Sequence, residues 1–576
     1  MDVSAWLPLP VLWERDRVRV LFLLCNWLLQ TQEPSPQPSP RVPGEGEIPE
    51  AIALNVVGVS RFATGITTHA KPGRIDCDAM RPRSWQSLLP VLILALAAAL
   101  RVYHIADSSF WLDEFCSAEC STGRGLAHVA LPRNQWLTNP PLLTTLTGAP
   151  AWWHIWTSMG LDNHPPLYFI VLRIWRDMAG ESDLAARLLS VLISLAGLVL
   201  FYDAVKIGIG KPAALWAMLL AAVAMPQVHF AQEARGYGML GTLGMAACCA
   251  LMRIEVLGIT RRRWGALALS VLAMLLTHYF AVAGWTALVV YAAISMRGVN
   301  RRAVLSALFV AAFIFAISWG PWMLEQRRSY QANNAWQADV ADNHLLRTLE
   351  LATQIPVRWC GEWLTNEYPL VSTVLGLGAF ALAIFSFRER RRVWCLWLAA
   401  PILLVMCVDL LNRTTLLNSI RYTLAGSWGL YALVAALPRR WLRYVLVTVA
   451  LGLSLISAPT SYSESRDWSA LAQYLQANVQ SDDAVVFASA GRDDWYAGAM
   501  YMGISHYAKP LPAPMVLLTR PLTADLRQGV EGRRVVWLIA GSQIPADQLL
   551  PEVTGFTVEE SAAFPDIGKV WKLRRQ

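Results

Sequence analysis

Apolar residues in this chain gather in long unbroken runs, and from residue 85 onward such runs recur along most of its length. They cover 85–102, 187–205, 212–230, 237–254, 264–280, 281–296, 303–323, 369–387, 393–411, 421–437 and 442–458. A run near twenty apolar residues is long enough to cross about 30 Å of hydrocarbon as a helix. The pattern therefore predicts an all-α polytopic membrane protein with about eleven transmembrane helices. The apolar stretch 164–179 (HPPLYFIVLRIWRDMA) is short and carries Arg173 and Arg176. It is expected to lie along the outer interface without crossing. The run 18–29 is too short to span.

The polar residues between the runs set a direction. Arg261-Arg262-Arg263, Arg301-Arg302, Arg388 to Arg392 and Arg439-Arg440 follow alternate runs, and Lys206 and Lys211 fall in with them. With the N-terminus inside, all these loops are cytoplasmic, as positively charged loops tend to be. Three regions are left outside: a long first loop over 103–186, a second near 324–368, and the tail from 459 onward. The tail alternates helix-like stretches (468–477) with strand-like ones (484–488, 534–539, 569–573), which reads as a small C-terminal α/β domain outside the membrane. Residues 31–50 are proline-rich and lack apolar periodicity, so they are expected to be disordered. Met80 precedes Arg81, Arg83 and the first long run, so the functional chain is expected to begin there. The expected organisation is 1–79 as a disordered or mis-called extension, 80–458 as the transmembrane domain, and 459–576 as the extracytoplasmic domain.

Composition sharpens this. The 576 residues are 55% hydrophobic and only 16% charged, against about 25% charged in a soluble domain. The 26 tryptophans suit aromatic belts at the membrane surfaces. The net charge of +8 sits in the loop arginines, so nucleic acid is not an expected partner. The nine cysteines show no CxxC pair and no zinc spacing, and read as small hydrophobes without a disulfide framework. There is no GxGxxG and no DxD in a Rossmann-like context, and Asp493-Asp494 is expected to be solvated.

Chemistry-bearing residues gather at the outer ends. Trp111-Leu112-Asp113-Glu114-Phe115 puts two carboxylates among apolar neighbours just beyond the first run, where desolvation costs free energy unless a partner or a function compensates. Asn163-His164-Pro165-Pro166 comes later in that loop. Two outer turns hold His229 to Tyr237, with Glu233 and Arg235, and Thr277-His278-Tyr279-Phe280. Plainer readings exist for each. Asp113 and Glu114 suit the start of a surface helix, Glu233 and Arg235 an ion pair in a turn, His278 an interfacial belt, and Arg421 a cation snorkelling from the head of a span.

The order of these motifs carries a resemblance. WLDE (111–114), HPPLYF, AARLLS (185–190), QEARGY (232–237), THYF (277–280) and RY (421–422) occur in sequence here. The chain resembles bacterial GT-C glycosyltransferases similar to protein O-mannosyltransferases and aminoarabinose-lipid A transferases, over about residues 85–510. The first loop departs from that family in its greater length between Glu119 and Asn163. The resemblance implies a GT-C fold, a sugar on a polyprenyl phosphate bound from the outer side, and an Asp of the first loop, here Asp113, as catalytic base. It further implies donor-side roles for the HPP segment and the QEAR turn, and the cytoplasmic membrane of a bacterium as location.

Such a donor brings its own leaving group, so the chemistry needs a base for the acceptor hydroxyl and positive charge for the departing phosphate. Asp113 suits the first need, with Glu114 beside it. His164, Arg235, Tyr237, Arg421 and Tyr422 are expected around the phosphate, where guanidinium forks match phosphate oxygens. His164 and His278 offer hydrogen bonds to phosphate or, with Glu114 or Glu233, ligands for a divalent metal ion. The acceptor is a lipid, a glycan or a protein, and single displacement by it inverts the sugar. A transporter and a non-catalytic assembly scaffold are the rivals. Against a transporter stands the near absence of charge within the runs.

Overall fold

The computed structural model describes residues 88–333, 343–462, 467–488, 495–508, 510–519, 524–541, 555–564 and 567–576. The expected extension 1–79, the start at Met80 and Asp493-Asp494 lie outside the described residues. The chain divides into two compact units, Met1–Leu89, of which only residues 88 and 89 are described, and Pro90–Gln576.

The fold is mostly helical. Its longer helices are α1 (Leu89–Val102), α2 (Leu112–Cys120), α3 (Leu167–Ala179), α4 (Asp183–Gly208), α5 (Lys211–Val223), α6 (Tyr237–Leu257), α7 (Arg261–Thr277), α8 (Ala281–Ser295) and α9 (Gly298–Asn333). They continue as α10 (His344–Arg358), α11 (Pro369–Phe385), α12 (Arg392–Asn412), α13 (Ser427–Ala435) and α14 (Arg440–Tyr462). Among the described residues five helical stretches are long and apolar enough to cross a membrane: Asp183–Gly208, Tyr237–Leu257, Gly298–Arg328, Glu389–Asn412 and Arg440–Ala458. Five more are apolar but shorter, α1, α5, α8, α11 and Leu424–Ala435. α7 opens on three arginines and belongs to neither group.

Two expected runs are broken, each for a visible reason. The run 212–230 is helical only to Val223. Ala224 leaves the helical region (ψ 121°) and a short turn follows over Met225–His229, with Pro226 near its start; proline has no N–H for the carbonyl four residues back, that of Ala222, and its ring clashes with it. The carbonyls this break leaves open are met by the fully buried Arg101, which donates to the Ala221 oxygen (3.2 Å) and the Ala222 oxygen (2.8 Å). A cation there also suits the negative end of α5. The run 421–437 is helical only from Ser427; residues 416–426 are 3-10 turns. Arg421 thus sits in a connection and not at the head of a spanning helix.

α3 is 13 residues long, about 20 Å at 1.5 Å per residue, short of a bilayer. Its Arg173 and Arg176 point inward onto the end of α2 and the loop after it. Arg176 donates to the Ala118 and Thr144 oxygens, and Arg173 to the Thr122 and Pro150 oxygens. Within the bundle, glycine permits close approach: a Cβ on Gly197 of α4 would lie 2.5 Å from Thr242 Oγ1 of α6, the small-residue packing of membrane helices.

The tail adds α15 (Trp468–Asn478), α16 (Trp495–Tyr507), α17 (Ala524–Glu531) and most of a six-stranded sheet. Its strands are β1 (Trp136–Leu137), β2 (Ala484–Ala488), β3 (Met515–Leu518), β4 (Val535–Gly541), β5 (Phe556–Phe564) and β6 (Gly568–Arg575), in the order β1-β3-β2-β4-β6-β5. β3, β2 and β4 are parallel and buried throughout, as strands covered on both faces are. The edge strand β1 comes from the first long loop and pairs antiparallel with β3. The loop and the tail also share one apolar core, in which Phe110, Phe115, Tyr168 and Leu172 join Trp468, Met500, Phe487 and Trp537.

Candidate active site

Asp113 and Glu114 open α2, where negative charge suits the exposed N–H groups of the first turn. Their fates differ. Glu114 is buried, and both its oxygens are taken. Arg187 of α4 grips it in a fork (Nε to Oε1 2.9 Å, Nη2 to Oε2 2.7 Å), Ala234 N donates to Oε1 (2.8 Å) and Trp111 N to Oε2 (3.2 Å). Arg187 also donates to the Ile105, Ser108 and Ser109 oxygens. Glu114 therefore ties the first loop to α4 and to the QEAR turn, and has no oxygen left for a metal ion or a substrate proton.

Asp113 is half-buried, and its partners are cations. Arg421 Nη1 lies 2.7 Å and Arg235 Nη2 3.8 Å from its Oδ2. Arg235 donates besides to the Asp113 carbonyl and to Ser117 Oγ, both at 3.1 Å. Its Nη2 further meets His164 Nε2 at 3.3 Å, while His164 Nδ1 is 2.8 Å from Asp162 Oδ1. A guanidinium only donates, so Nε2 is the acceptor and Nδ1–H points to Asp162. Burial alone would raise the Asp162 carboxyl; the pairing with His164 and the charge of Arg235 outweigh it and hold the group below the usual carboxylate range.

His278 closes the ring of residues. Its ring centroid is 5.1 Å from that of His164, 5.5 Å from Tyr237 and 5.3 Å from Phe280, and Phe280 lies 5.2 Å from Tyr422. Phe280 N donates to His278 Nδ1 (3.1 Å), so the proton is on Nε2. Among the described residues that buried Nε2–H has no hydrogen-bond partner, like the Nε–H groups of Arg235 and Arg421. His164, Arg235, Tyr237 and His278 line a small cleft, with room in this unliganded arrangement for about one water. Three N–H donors without acceptors, around a carboxylate and beside a cleft, form a setting for an anionic ligand.

The metal reading does not assemble. Among the described residues no group of three or more His, Cys, Asp or Glu side chains is placed to hold a metal ion. Glu233 instead lies 3.2 Å from His229, one turn away. Of the sequence-derived site residues, Asp113, His164, Arg235, Tyr237, His278, Arg421 and Tyr422 form a connected set through these contacts, and Glu114 stands behind them.

Residues that sequence reasoning passed over do much of the holding. Arg187 lies within the AARLLS motif but had no role there. Gln232 donates to the Arg101 and Tyr103 oxygens at the end of α1 (3.0 and 2.7 Å), which seats the QEAR turn. Asp409 accepts from Thr414 Oγ1, Leu416 N and Leu417 N, and Arg358 donates to the Leu417 and Asn418 oxygens. Those bonds satisfy the backbone of the non-helical connection that carries Arg421, which a membrane protein has to do internally.

Residues 163–322, which carry His164, Arg187, Glu233, Arg235, Tyr237 and His278, match the family described as "Dolichyl-phosphate-mannose-protein mannosyltransferase". Over that stretch the chain resembles these glycosyltransferases. Asp113 and Arg421 lie outside the match. No curated protein sequence matches the chain. Among solved structures it is similar to ArnT from Cupriavidus metallidurans bound to undecaprenyl phosphate, at 15% identity over 84% of this chain and 97% of that one, with a TM-score of 0.42. It is similar also to the oligosaccharyltransferase AglB from Archaeoglobus fulgidus in complex with an inhibitory peptide and a dolichol-phosphate (11% identity, 79% of this chain and 69% of that one, TM-score 0.46). A third likeness is to the arabinofuranosyltransferase AftD from Mycobacteria (13% identity, 86% and 40%, TM-score 0.44). At these TM-scores the likenesses carry no argument for a shared mechanism.

Proposed function

We propose that this chain is a membrane glycosyltransferase that moves a sugar from a polyprenyl-phosphate donor to an envelope lipid, glycan or protein, with Asp113 as base. The observation that carries the reading is the pairing of Asp113 with Arg235 and Arg421, beside buried N–H donors of Arg235, Arg421 and His278 that have no acceptor. Without a donor, Asp113 is the counter-ion shared by the two guanidinium groups, which keep a net positive charge. A phosphate entering the cleft takes them over, accepts from the spare N–H groups, and leaves the Asp113 carboxylate available to an acceptor hydroxyl.

The step then balances without a cofactor. The acceptor oxygen attacks the anomeric carbon, its proton passes to Asp113, and the bond to the phosphate oxygen breaks. The departing lipid phosphate monoester leaves with the electron pair, held by Arg235 and Arg421. One displacement inverts the anomeric centre. The reading puts the site and the tail on the outer face of a bacterial cytoplasmic membrane, opposite the arginine-rich loops.

Incubating the purified chain with polyprenyl-phosphate sugars and scoring release of free lipid phosphate tests the reaction. Turnover with an inverted product is expected. Failure with every such donor removes the reading, and a retained anomeric configuration removes the single displacement.

A further inference from the structure

Among the contacts of the tail with the first loop and α4, one cluster joins both and has no part in the transfer chemistry. α16 ends on His506 and Tyr507, and both side chains reach Asp183, the first residue of α4. His506 Nε2 is 2.9 Å from Asp183 Oδ1, and the Tyr507 hydroxyl donates to Asp183 Oδ2. A carboxylate only accepts, so the His506 proton is on Nε2, and Nδ1 accepts from the Thr144 hydroxyl at 2.8 Å. The Tyr507 oxygen in turn accepts from Phe110 N at 2.7 Å, three residues before Asp113. The Phe110 ring lies between the His506 ring (5.2 Å) and the Arg187 guanidinium (5.2 Å), and Phe115 packs against both His506 and Tyr507. Arg187, one turn along α4 from Asp183, is the residue that grips Glu114.

Two side chains of the tail thus bind both halves of the scaffold, the strand of chain entering α2 and the start of α4. Other bonds between tail and loop are Ser469 N to Ser109 Oγ (3.1 Å), on the same approach, and, farther along the loop, Tyr501 to the Pro141 oxygen and the reciprocal pair of Asn134 with Thr519. The Ser469 bond joins the approach to the tail but not to α4, and the others do not touch the approach; only His506 and Tyr507 tie it to Asp183.

We propose that His506 and Tyr507 are positioning residues for the transfer: they clamp the approach to Asp113 onto α4, so that the tail sets where the base stands. This rests on the reading of Asp113 as the base. Donor binding is assigned to Arg235 and Arg421 on other connections, so loss of the clamp affects the chemical step more than donor affinity. A small misplacement of a reacting group costs up to about a hundredfold in rate.

The test uses the full chain in detergent or nanodiscs, a polyprenyl-phosphate sugar as donor, and the variants Tyr507→Phe, His506→Phe and His506→Gln. Tyr507→Phe keeps the ring packing and loses both hydrogen bonds. It is expected to lower kcat by about tenfold or more with the donor KM within about twofold. Amide exchange over 105–112 rises while that of α6 stays at the wild-type level. Glutamine accepts from Thr144 and donates to Asp183, so His506→Gln retains most of kcat where His506→Phe does not. Wild-type kcat and wild-type exchange in Tyr507→Phe overturn the proposal. So does a parallel loss of exchange protection across α6, which is general unfolding, or a glutamine variant no better than phenylalanine. If the wild-type chain turns over no donor, the functional reading fails separately, and unchanged exchange over 105–112 still overturns the clamp.

Discussion

Arginine does different work at the two sets of connections between the helices. On the connections α6–α7, α8–α9, α11–α12 and α13–α14 or in the first turns of the helices that follow them, Arg261, Arg262, Arg301, Arg302, Arg388, Arg439 and Arg440 are exposed. In the first loop, at the head of α4 and on the turn before α6, Arg173, Arg176, Arg187 and Arg235 are buried and donate to carboxylates, carbonyls and hydroxyls of distant segments. A guanidinium in water needs no specific partner, while a buried one costs several kcal/mol unless its donors are met. The difference teaches that the buried arginines report where the fold has committed specific contacts, while the exposed ones leave the fold free of such commitments.

The sharpest way to break that comparison is at the carboxylate facing the site cations. Asp113→Asn keeps the size of the side chain and removes the proposed base. Transfer is expected to fall about 10²- to 10⁴-fold, with helical circular dichroism and expression unchanged; more than about a tenth of wild-type activity would move the base elsewhere. Next comes the buried pair behind it. Arg187→Gln leaves Glu114 buried without its cation and is expected to cost about 3–5 kcal/mol in thermal unfolding in detergent, partly recovered by adding Glu114→Gln. A single variant as stable as wild type would mean that Glu114 is solvated.

Asp162 gives a smaller, pH-dependent effect. Its folded pKa is below the unfolded value, so its ionisation stabilises the fold above about pH 4, and that contribution is lost as pH falls through the folded pKa. Asp162→Asn is expected to cost about 1.5–3 kcal/mol at pH 6, and the gap to wild type should close as the pH drops below about 4. A gap constant down to pH 3 would rule out ionisation as its source. The smallest effect belongs to the exposed set: Arg261→Gln with Arg262→Gln should change stability by no more than about 0.5 kcal/mol and leave transfer at the wild-type rate. Loss of transfer with an intact fold would break the division between the two kinds of arginine.

Much of this site was legible in the sequence because membrane helices leave few places for polar groups. Asp113, His164, Arg235, His278 and Arg421 stood out as charged or titratable residues at the ends of apolar runs, and the fold gathers them within a few side-chain contacts. Glu114 was misjudged, since adjacency to Asp113 suggested a shared role and burial behind Arg187 is invisible to a linear reading. Glu233 and His278 looked like a metal pair, yet one lies against His229 and the other beside His164. Asp409, Arg358 and Gln232 gave no signal, because a side chain that caps the backbone of a distant connection has no pattern of its own. The break at Ala224 had a signal in Met225-Pro226, but hydrophobicity runs straight through it.

By itself the sequence determined that this chain is mostly apolar helices with its chemistry at their ends, because burial in lipid is decided by sums over some twenty neighbouring residues. Only the tertiary structure decided which carboxylate is committed to the scaffold and which faces the cations. Successive residues of a helix point about 100° apart, so Glu114 turns to Arg187 while Asp113 turns to Arg235 and Arg421. It also decided that the tail and the first loop share a sheet and a core, since strand pairing between residues 136 and 516 depends on contacts far apart in the chain.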